Sequence, residues 1–410
     1  MQAPSSVPGA TFPAAPGSIP AARGACTMSD SGDGAAHAQV DPPTRWTKED
    51  VVVPQFGIFD HLERQPELSL DRQYEERLEL LARADALGFY GYHLAEHHNS
   101  PLCMAPSPAV FLAAAARHTR QIRLGALVTI LPFHHPLRLI EEVCMLDHLS
   151  GGRLQLGIGR GITAIEHTFW GQRPEEAHDR NDEVLEVLVK GLTGDTMDHR
   201  GQFYRFDNVP LELSPKQRPH PPFWSAGNPE FAGRHGTHFV CHAGQRFAGL
   251  VARYRELWRE HQGRPGFLNA HLAEPFVGST RHFVVADTDA EAERIARSSW
   301  PAYNRNFAKR GQDGPGPETS SDGSIKPLPA GGPGLGGDVD KAFELERCIV
   351  GSPDTILKHV EQYTLGAGVN YLVGSFQWGN ITHAQAMRSL ELFGTEVLPK
   401  IGERAAVASA

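Results

Sequence analysis

The chain has few cysteines, and they are not paired in the sequence. Its 410 residues include five cysteines, an odd number, and none of them belongs to a C-x-x-C pair. A disulfide framework or a zinc knuckle needs an even or closely spaced set of cysteines. The sequence therefore favours neither, and we predict a reducing, cytoplasmic location.

Long apolar runs and long basic runs are also missing from the sequence. No stretch approaches the roughly 18 consecutive apolar residues of a membrane-spanning helix. The chain has 48 acidic and 39 basic residues, a net charge of -9, and no long basic run. Nucleic acid and anionic lipid are bound by clustered positive charge. We therefore predict no nucleic-acid partner and no membrane anchor, and the composition favours an enzyme that acts on a small molecule.

The two ends of the chain differ from its middle. Residues 1 to about 45 are rich in Pro, Ala, Gly and Ser and have almost no bulky apolar side chain. Such a composition buries too little apolar surface to offset the entropy of ordering. We predict a disordered extension over 1–48, in which Met28 is an alternative start, then one domain over 49–402 and a disordered tail over 403–410.

Within the domain, short apolar runs alternate with helical patterns, which is typical of parallel strands joined by crossover helices. Strands are predicted at 56–59, 90–95, 122–130, 153–158, 222–226, 239–242, 282–286 and 371–376. Helices are predicted at 71–87, 107–118, 138–149, 175–192, 229–236, 247–262, 288–308, 353–365 and 381–398. Eight such units indicate an α/β fold, a single (β/α)8 TIM barrel.

Two segments interrupt this alternation. Residues 200–215 are predicted to form a small hairpin. Residues 310–338 are rich in Gly and Pro and precede the last βα unit. A long loop of this kind is either a lid or a disordered connection, and we predict a mobile lid-like loop because such loops recur over reactive sites.

The first group of reactive side chains is Glu96-His97-His98, at the end of the second predicted strand. Barrels carry their reactive groups at the carboxyl ends of strands. If the strand continued through both histidines, only one could point inward. Histidine moves protons near neutral pH, so the inward ring is a candidate base, or else a hydrogen-bonded rim residue without a chemical role.

A metal site is the rival interpretation of these histidines. The chain has 21 histidines, including a second pair, His134-His135. However, the spacings H-x-H on a strand and H-E-x-x-H on a helix are both missing. The sequence therefore does not favour a metal.

Two strand ends carry small residues that suit a phosphate. Arg160 stands between glycines in Gly157-Ile158-Gly159-Arg160-Gly161, and Trp224-Ser225 leads into Ala226-Gly227-Asn228 before a helix. A guanidinium binds phosphate through two hydrogen bonds, and helix starts attract anions. Tight turns and an Asn helix cap explain the same residues without a ligand. The G-x-G-x-x-G spacing of a dinucleotide site does not occur here.

The ordered series of motifs resembles the luciferase-like monooxygenase family. It runs from Glu96-His97-His98 through 131–138 (LPFHHPLR) and 147–154 (DHLSGGRL) to the G-I-G-R-G turn. The resemblance covers most of residues 55–245 and continues more weakly to the end. It implies a TIM barrel that binds a flavin.

The resemblance also implies roles for individual residues. His97 matches the family's pocket histidine, which is regarded as the catalytic base. Arg160 matches an arginine that contacts the flavin phosphate, and Ala226, Gly227 and Asn228 match the segment that completes the phosphate site. A non-proline cis peptide beneath the flavin is expected near Leu127-Val128. Luciferase itself has cysteine where Gly159 stands, which argues against light emission.

The activity implied by the resemblance is oxygenation of a small organic substrate by reduced FMN and O2 through a flavin hydroperoxide. Because no nicotinamide site is visible, the resemblance points to a separate flavin reductase as partner, and family members usually form homodimers. Three alternatives stay open: a deazaflavin-dependent dehydrogenase or reductase of the same fold, a flavin-binding accessory protein without turnover, and a metal hydrolase.

Overall fold

The strands of the domain form one parallel barrel in the computed structural model, which describes residues 54–241, 247–308, 338–366 and 368–401. The order of neighbouring strands is β3-β2-β1-β12-β10-β9-β8-β5-β4. A parallel bridge between Leu124 and Leu154 brings β3 beside the chain that leads into β5. The barrel therefore has eight strand positions, one of which is shared by β3 and β4.

The strands of the barrel are short, except for β10. They are β1 (Gln55–Asp60), β2 (Gly91–Leu94), β3 (Arg123–Ala126), β4 (Thr129–Ile130), β5 (Leu156–Gly159), β8 (Phe223–Ala226), β9 (His238–Cys241), β10 (Val277–Val285) and β12 (Tyr371–Ser375). β6 (Thr196–Arg200) and β7 (Arg205–Pro210) form a separate antiparallel hairpin. β11 (Cys348–Gly351) pairs with the second half of β10.

Helices surround the barrel. They are α1 (Leu70–Ala86), α2 (Pro108–His118), α3 (Pro136–Leu149), α4 (Ala164–Phe169), α5 (Ala177–Thr193), α6 (Pro229–His235), α7 (Phe247–His261), α8 (Asp289–Ala308), α9 (Val339–Glu344), α10 (Pro353–Gly366) and α11 (His383–Leu392). No helix in these described segments is long and apolar enough to cross a membrane.

Local sequence explains where several helices begin and end. α3 starts with Pro136 at its first position, where no main-chain N–H is needed. It ends before Gly151 and Gly152, which both have positive φ and whose N–H groups bond back to the carbonyls of His148 and Asp147. α11 begins with a capping box between Thr382 and Gln385.

The prediction of a (β/α)8 barrel is confirmed. The predicted hairpin is also present, but it spans Thr196–Pro210 and so begins four residues before the predicted range of 200–215. The strand predicted at 282–286 was placed too late, because β10 begins at Val277. Strand β11 and the short helices α4 and α9 were missed. The helix predicted over 381–398 is α11 followed by one π-helical turn over Phe393–Val397.

The insertion predicted at 310–338 belongs to a longer connection than expected. The chain between β10 and β12 contains α8, α9, β11 and α10, so a further βα unit separates the insertion from the last strand. Apart from Asp338, the predicted lid lies outside the described residues. The predictions for 1–48 and 403–410 also lie outside them.

Packed rings fill the barrel interior toward the amino ends of the strands. Trp224 is fully buried, its ring stacks on Phe276 at 5.7 Å, and its indole N–H donates to Gln155 at 2.6 Å. His93 Nε2 lies 2.7 Å from the hydroxyl of Tyr371 in the same layer. Burial without a compensating charge lowers the pKa of His93 to about 3. This layer is a neutral floor, and the carboxyl ends of the strands lie on its other side.

Candidate active site

The predicted site residues lie at the carboxyl ends of neighbouring strands. His97 follows β2, Leu127-Val128 joins β3 to β4, Arg160 follows β5, and Ala226–Asn228 ends β8 and leads to α6. β2 pairs with β3, β4 with β5, and β5 with β8. The fold therefore brings all of these positions to one end of the barrel, as a site in this fold requires.

His97 and His98 are both buried, and the argument from strand alternation does not apply to them. The strand ends at Leu94, and the strict alternation of side chains ends with it. His97 Nδ1 lies 3.3 Å from Glu166 Oε1, whereas His98 Nε2 donates to Glu96 Oε1 at 3.0 Å. Each histidine thus has its own carboxylate.

Glu96 is the centre of a buried polar network. Besides His98, His134 donates to its carboxylate at 3.1 Å, and the main-chain N–H of Ile130 donates at 2.8 Å. Burial alone would raise the pKa of Glu96, but these hydrogen bonds outweigh it and hold that pKa below its ordinary value. Burial lowers the pKa of His134, but the hydrogen bond to Glu96 outweighs burial, so the pKa of His134 is raised. Both shifts favour the charged forms of His134 and Glu96.

The peptide bond between Leu127 and Val128 is cis, which confirms the expectation for this strand. It lies between β3 and β4, which share one strand position of the barrel. Beyond it, the main-chain N–H of Ile130 donates to Glu96.

The neighbouring chain from β3 to β4 explains the first two glycines of the G-I-G-R-G turn. A Cβ atom on Gly157 would lie 2.1 Å from the carbonyl oxygen of Ala126, and one on Gly159 would lie 2.6 Å from a methyl group of Val128. Steric contact with the adjacent strand therefore requires both glycines. A cysteine at position 159, as in luciferase, would collide with Val128 in this arrangement.

Arg160 and the end of β8 are open to solvent. Arg160 is exposed and has no ion pair with an acidic residue in the described ranges. Gly227 has φ of +81°, and nothing lies within 4 Å of the place where its Cβ would be. The side chain of Asn228 accepts the N–H of Phe231 at 3.1 Å and caps α6. The cap predicted as the simpler alternative is thus present, next to the open space at Gly227.

Glu63, which follows β1, is a buried acid that the sequence analysis missed. Its carboxylate accepts hydrogen bonds from the side chain of Asn306 at 2.9 Å and from the N–H of Gly379 at 3.2 Å. Burial nevertheless dominates and raises the pKa of Glu63 to about 7. Nothing in the local sequence distinguishes this glutamate, since both partners are more than 240 positions away.

The described segments contain no cluster of side chains suited to binding a metal ion. No group of three or more His, Cys, Asp or Glu side chains there could hold a metal ion. The histidines of the E-H-H motif instead donate to glutamates.

Several relatives of the chain have names that state a monooxygenase activity. The chain is 38% identical over 351 residues to the Uncharacterized protein y4wF of Sinorhizobium fredii, spanning 85% of this chain and 97% of that one. It is 30% identical over 261 residues to the oxygenase component of the flavin-dependent trigonelline monooxygenase of Acinetobacter baylyi, spanning 61% of this chain and 70% of that one.

Solved structures share the fold. Monooxygenase RslO1 from Streptomyces bottropensis superimposes with a TM-score of 0.71 at 25% identity over 84% of this chain and 99% of its own. At 22% identity, two others show the same fold: the FMN complex of the oxygenating constituent of 3,6-diketocamphane monooxygenase from Pseudomonas putida and a coenzyme F420 dependent reductase from Methanopyrus kandleri. Their TM-scores are 0.66 and 0.60, over 85% of this chain and 99% and 100% of theirs.

A family model also matches the chain directly. The model described as luciferase-like monooxygenase covers residues 54–370, which include all the site residues predicted from the sequence. The chain is an enzyme that belongs to the luciferase-like monooxygenase family.

Proposed function

We propose that the enzyme uses reduced FMN and O2 to oxygenate a small organic substrate, with His97 as the catalytic base. The observation that best supports this is the convergence at one barrel end of His97, the Leu127-Val128 cis peptide and the exposed Arg160. Bound reduced FMN would supply the electrons that activate dioxygen.

The strand ends fit the flavin phosphate. Arg160 offers a guanidinium that no described acid neutralises, and at the end of the paired strand β8 nothing lies within 4 Å of the place where a Cβ on Gly227 would be. We propose that these residues hold the phosphate and that Leu127 and Val128 support the flavin ring. Their side chains belong to the apolar lining of the barrel interior, together with Trp224 and Val240.

A separate reductase, a homodimer and a cytoplasmic location complete the proposal. The trigonelline enzyme is named an oxygenase component, which supports a separate reductase here. Val110 on α2 and the α3 residues Met145 and Leu149 are exposed and apolar on two packed helices, which suits a contact between copies. The four described cysteines are all unpaired thiols, as in a reducing compartment.

Arg160→Ala tests the phosphate site. Loss of charged hydrogen bonds of about 1.5–3 kcal/mol predicts at least a tenfold weaker binding of reduced FMN. Riboflavin, which has no phosphate, should bind the variant and the parent equally well. Anaerobic titration of both flavins measures this, with Arg173→Ala, an exposed arginine paired with Glu176, as the control. An equal loss for both flavins would contradict the assignment.

His97→Ala tests the chemistry. After reduced FMN is mixed with oxygenated buffer, the absorbance of a flavin hydroperoxide should persist in the parent and decay faster in the variant. The same titration with a reduced deazaflavin tests the alternative, a hydride-transfer enzyme, which the fold of the F420 dependent reductase keeps open. Binding of the deazaflavin alone, without any reaction with O2, would overturn the proposed monooxygenase activity.

A further inference from the structure

Glu166 lies directly against His97 although 69 positions separate them in the sequence. It belongs to the short helix α4 and has no solvent exposure. Its Oε1 atom accepts the main-chain N–H of His98 at 2.8 Å and lies 3.3 Å from His97 Nδ1. Its Oε2 atom is buried without a hydrogen-bond partner among the described residues.

These contacts decide which nitrogen of His97 carries the proton. As a carboxylate, Glu166 has no hydrogen to give to the ring, and its Oε1 already accepts a main-chain N–H. The Nδ1 atom of His97 must then be the donor. In neutral His97 the proton is therefore on Nδ1, and Nε2 is the basic nitrogen.

His98 cannot take the same role. Its Nε2 atom donates to Glu96, and Glu96 also binds His134 and the main-chain N–H of Ile130. In His98, the Nε2 atom is therefore already used in a hydrogen bond. His97 Nε2, by contrast, has no hydrogen bond to any residue in the described part of the chain, and the ring of His61 stacks beside it at 5.9 Å.

We propose that Glu166 is a positioning residue that fixes His97 as the Nδ1–H tautomer and presents Nε2 as its basic nitrogen. When Nε2 takes up a proton, an ionised Glu166 would stabilise the resulting imidazolium through the bond at Nδ1, as a carboxylate does in other histidine-based sites. The catalytic use of this nitrogen rests on the proposed function, whereas the tautomer is a property of the chain without flavin.

The test is a nuclear magnetic resonance measurement of histidine tautomers in the full-length, flavin-free protein with isotopically labelled histidine. His97 is assigned by the signal that His97→Ala removes. The parent protein should show His97 with its proton on Nδ1. His238 is an internal reference of the opposite kind, because its Nδ1 accepts the N–H of Phe276 at 2.8 Å and its proton must be on Nε2.

Two variants separate the hydrogen bond from the charge. Glu166→Gln can keep a carbonyl oxygen in the place of Oε1, so it should keep the Nδ1–H tautomer. Glu166→Leu removes the acceptor and should shift most of His97 to the Nε2–H form while the His238 signal stays unchanged. An Nε2–H tautomer in the parent overturns the proposal. So does an unchanged tautomer in a folded Glu166→Leu variant.

A second readout addresses the charge. Glu166→Gln should shorten the lifetime of the oxygenated flavin at least tenfold without changing the affinity for reduced FMN. An unchanged lifetime would refute the stabilising role of the charge. If the protein binds no flavin at all, the proposed function fails, but the tautomer measurement still decides the inference about Glu166.

Discussion

Two buried glutamates at the same end of the barrel show opposite electrostatics. Around Glu96, beyond β2, two histidines and a main-chain N–H converge, and the pKa of this carboxyl group is below its ordinary value. Around Glu63, beyond β1, the side-chain amide of Asn306 and the main-chain N–H of Gly379 are the donors among the described residues, and burial raises the pKa of Glu63 to about 7. Both side chains are almost fully buried. The number and charge of the donors, rather than burial, therefore decide which carboxylate is ionised.

Glu96→Leu should show the largest effect on this comparison. It leaves His98, His134 and the N–H of Ile130 without their acceptor. Breaking a buried pair of this kind costs about 3–5 kcal/mol of the free energy of unfolding, which urea unfolding at pH 7 would measure. Glu260→Ala, in the exposed pair with Arg264, is the control and should cost less than about 1 kcal/mol.

The sign of the pH dependence follows from the lowered pKa. The stabilisation by Glu96 is present above its unfolded pKa of 4.5 and is lost as the pH falls through the lower folded value. The difference between parent and Glu96→Leu should therefore shrink in acid. A difference that grew on acidification would contradict the network described here.

Glu63→Gln should change stability in the opposite sense. Because the folded pKa is raised, the contribution of Glu63 is complete below pH 4.5 and is lost as the pH rises through about 7. That shift corresponds to about 3 kcal/mol. The Gln variant does not ionise, so it should gain stability relative to the parent by about this amount between pH 5 and pH 8.

Urea midpoints at four pH values would measure the effect of Glu63→Gln. The amide of Asn306 can turn over to accept from the new NH2 group, which keeps the local hydrogen bonds. Glu67→Gln, exposed in the same loop, is the matched control. Parallel pH profiles for Glu63→Gln and the parent would show that Glu63 is ionised throughout this range.

His134→Gln should have the smallest effect. Its amide can still donate to Glu96, so only the charge of the imidazolium is lost, about 1 kcal/mol. The raised pKa of His134 means that this contribution is present below pH 6.5 and disappears as the pH rises through the folded value. Thermal unfolding at pH 5.5 and pH 8.5 should separate the two proteins only at the lower pH, with the exposed His118→Gln as control.

The sequence predicted the barrel better than it predicted individual strands with polar residues. β10 was placed five residues late because its first half contains Ser279, Thr280 and Arg281, which do not look like a buried strand. All nine residues of β10 are nevertheless buried. Hydrophobic periodicity fails where a strand buries polar side chains that tertiary contacts satisfy.

The position of the candidate site was predicted from the sequence, but the hydrogen bonds among its side chains were not. The resemblance placed His97, Arg160 and the cis peptide at one barrel end, where the chain carries them. Glu166 and Glu63 were missed because their partners are distant in sequence and meet them only when the barrel closes. The alternation of side chains along a strand does not apply to His97 and His98, because β2 ends at Leu94, before it reaches them.

The long strand β10 also determines how this enzyme tolerates change. Its first residues pair with β9, but from His282 to Val285 it pairs with Cys348 to Gly351 of β11. Paired strands lie about 4.8 Å apart, so the chain that leaves β10 returns beside its own starting point. Residues 286–347 thus leave the end of β10 and lead back to a strand that lies beside it, and closing a longer loop costs little extra free energy. Segments of different length or composition can therefore be exchanged here while the barrel keeps its register.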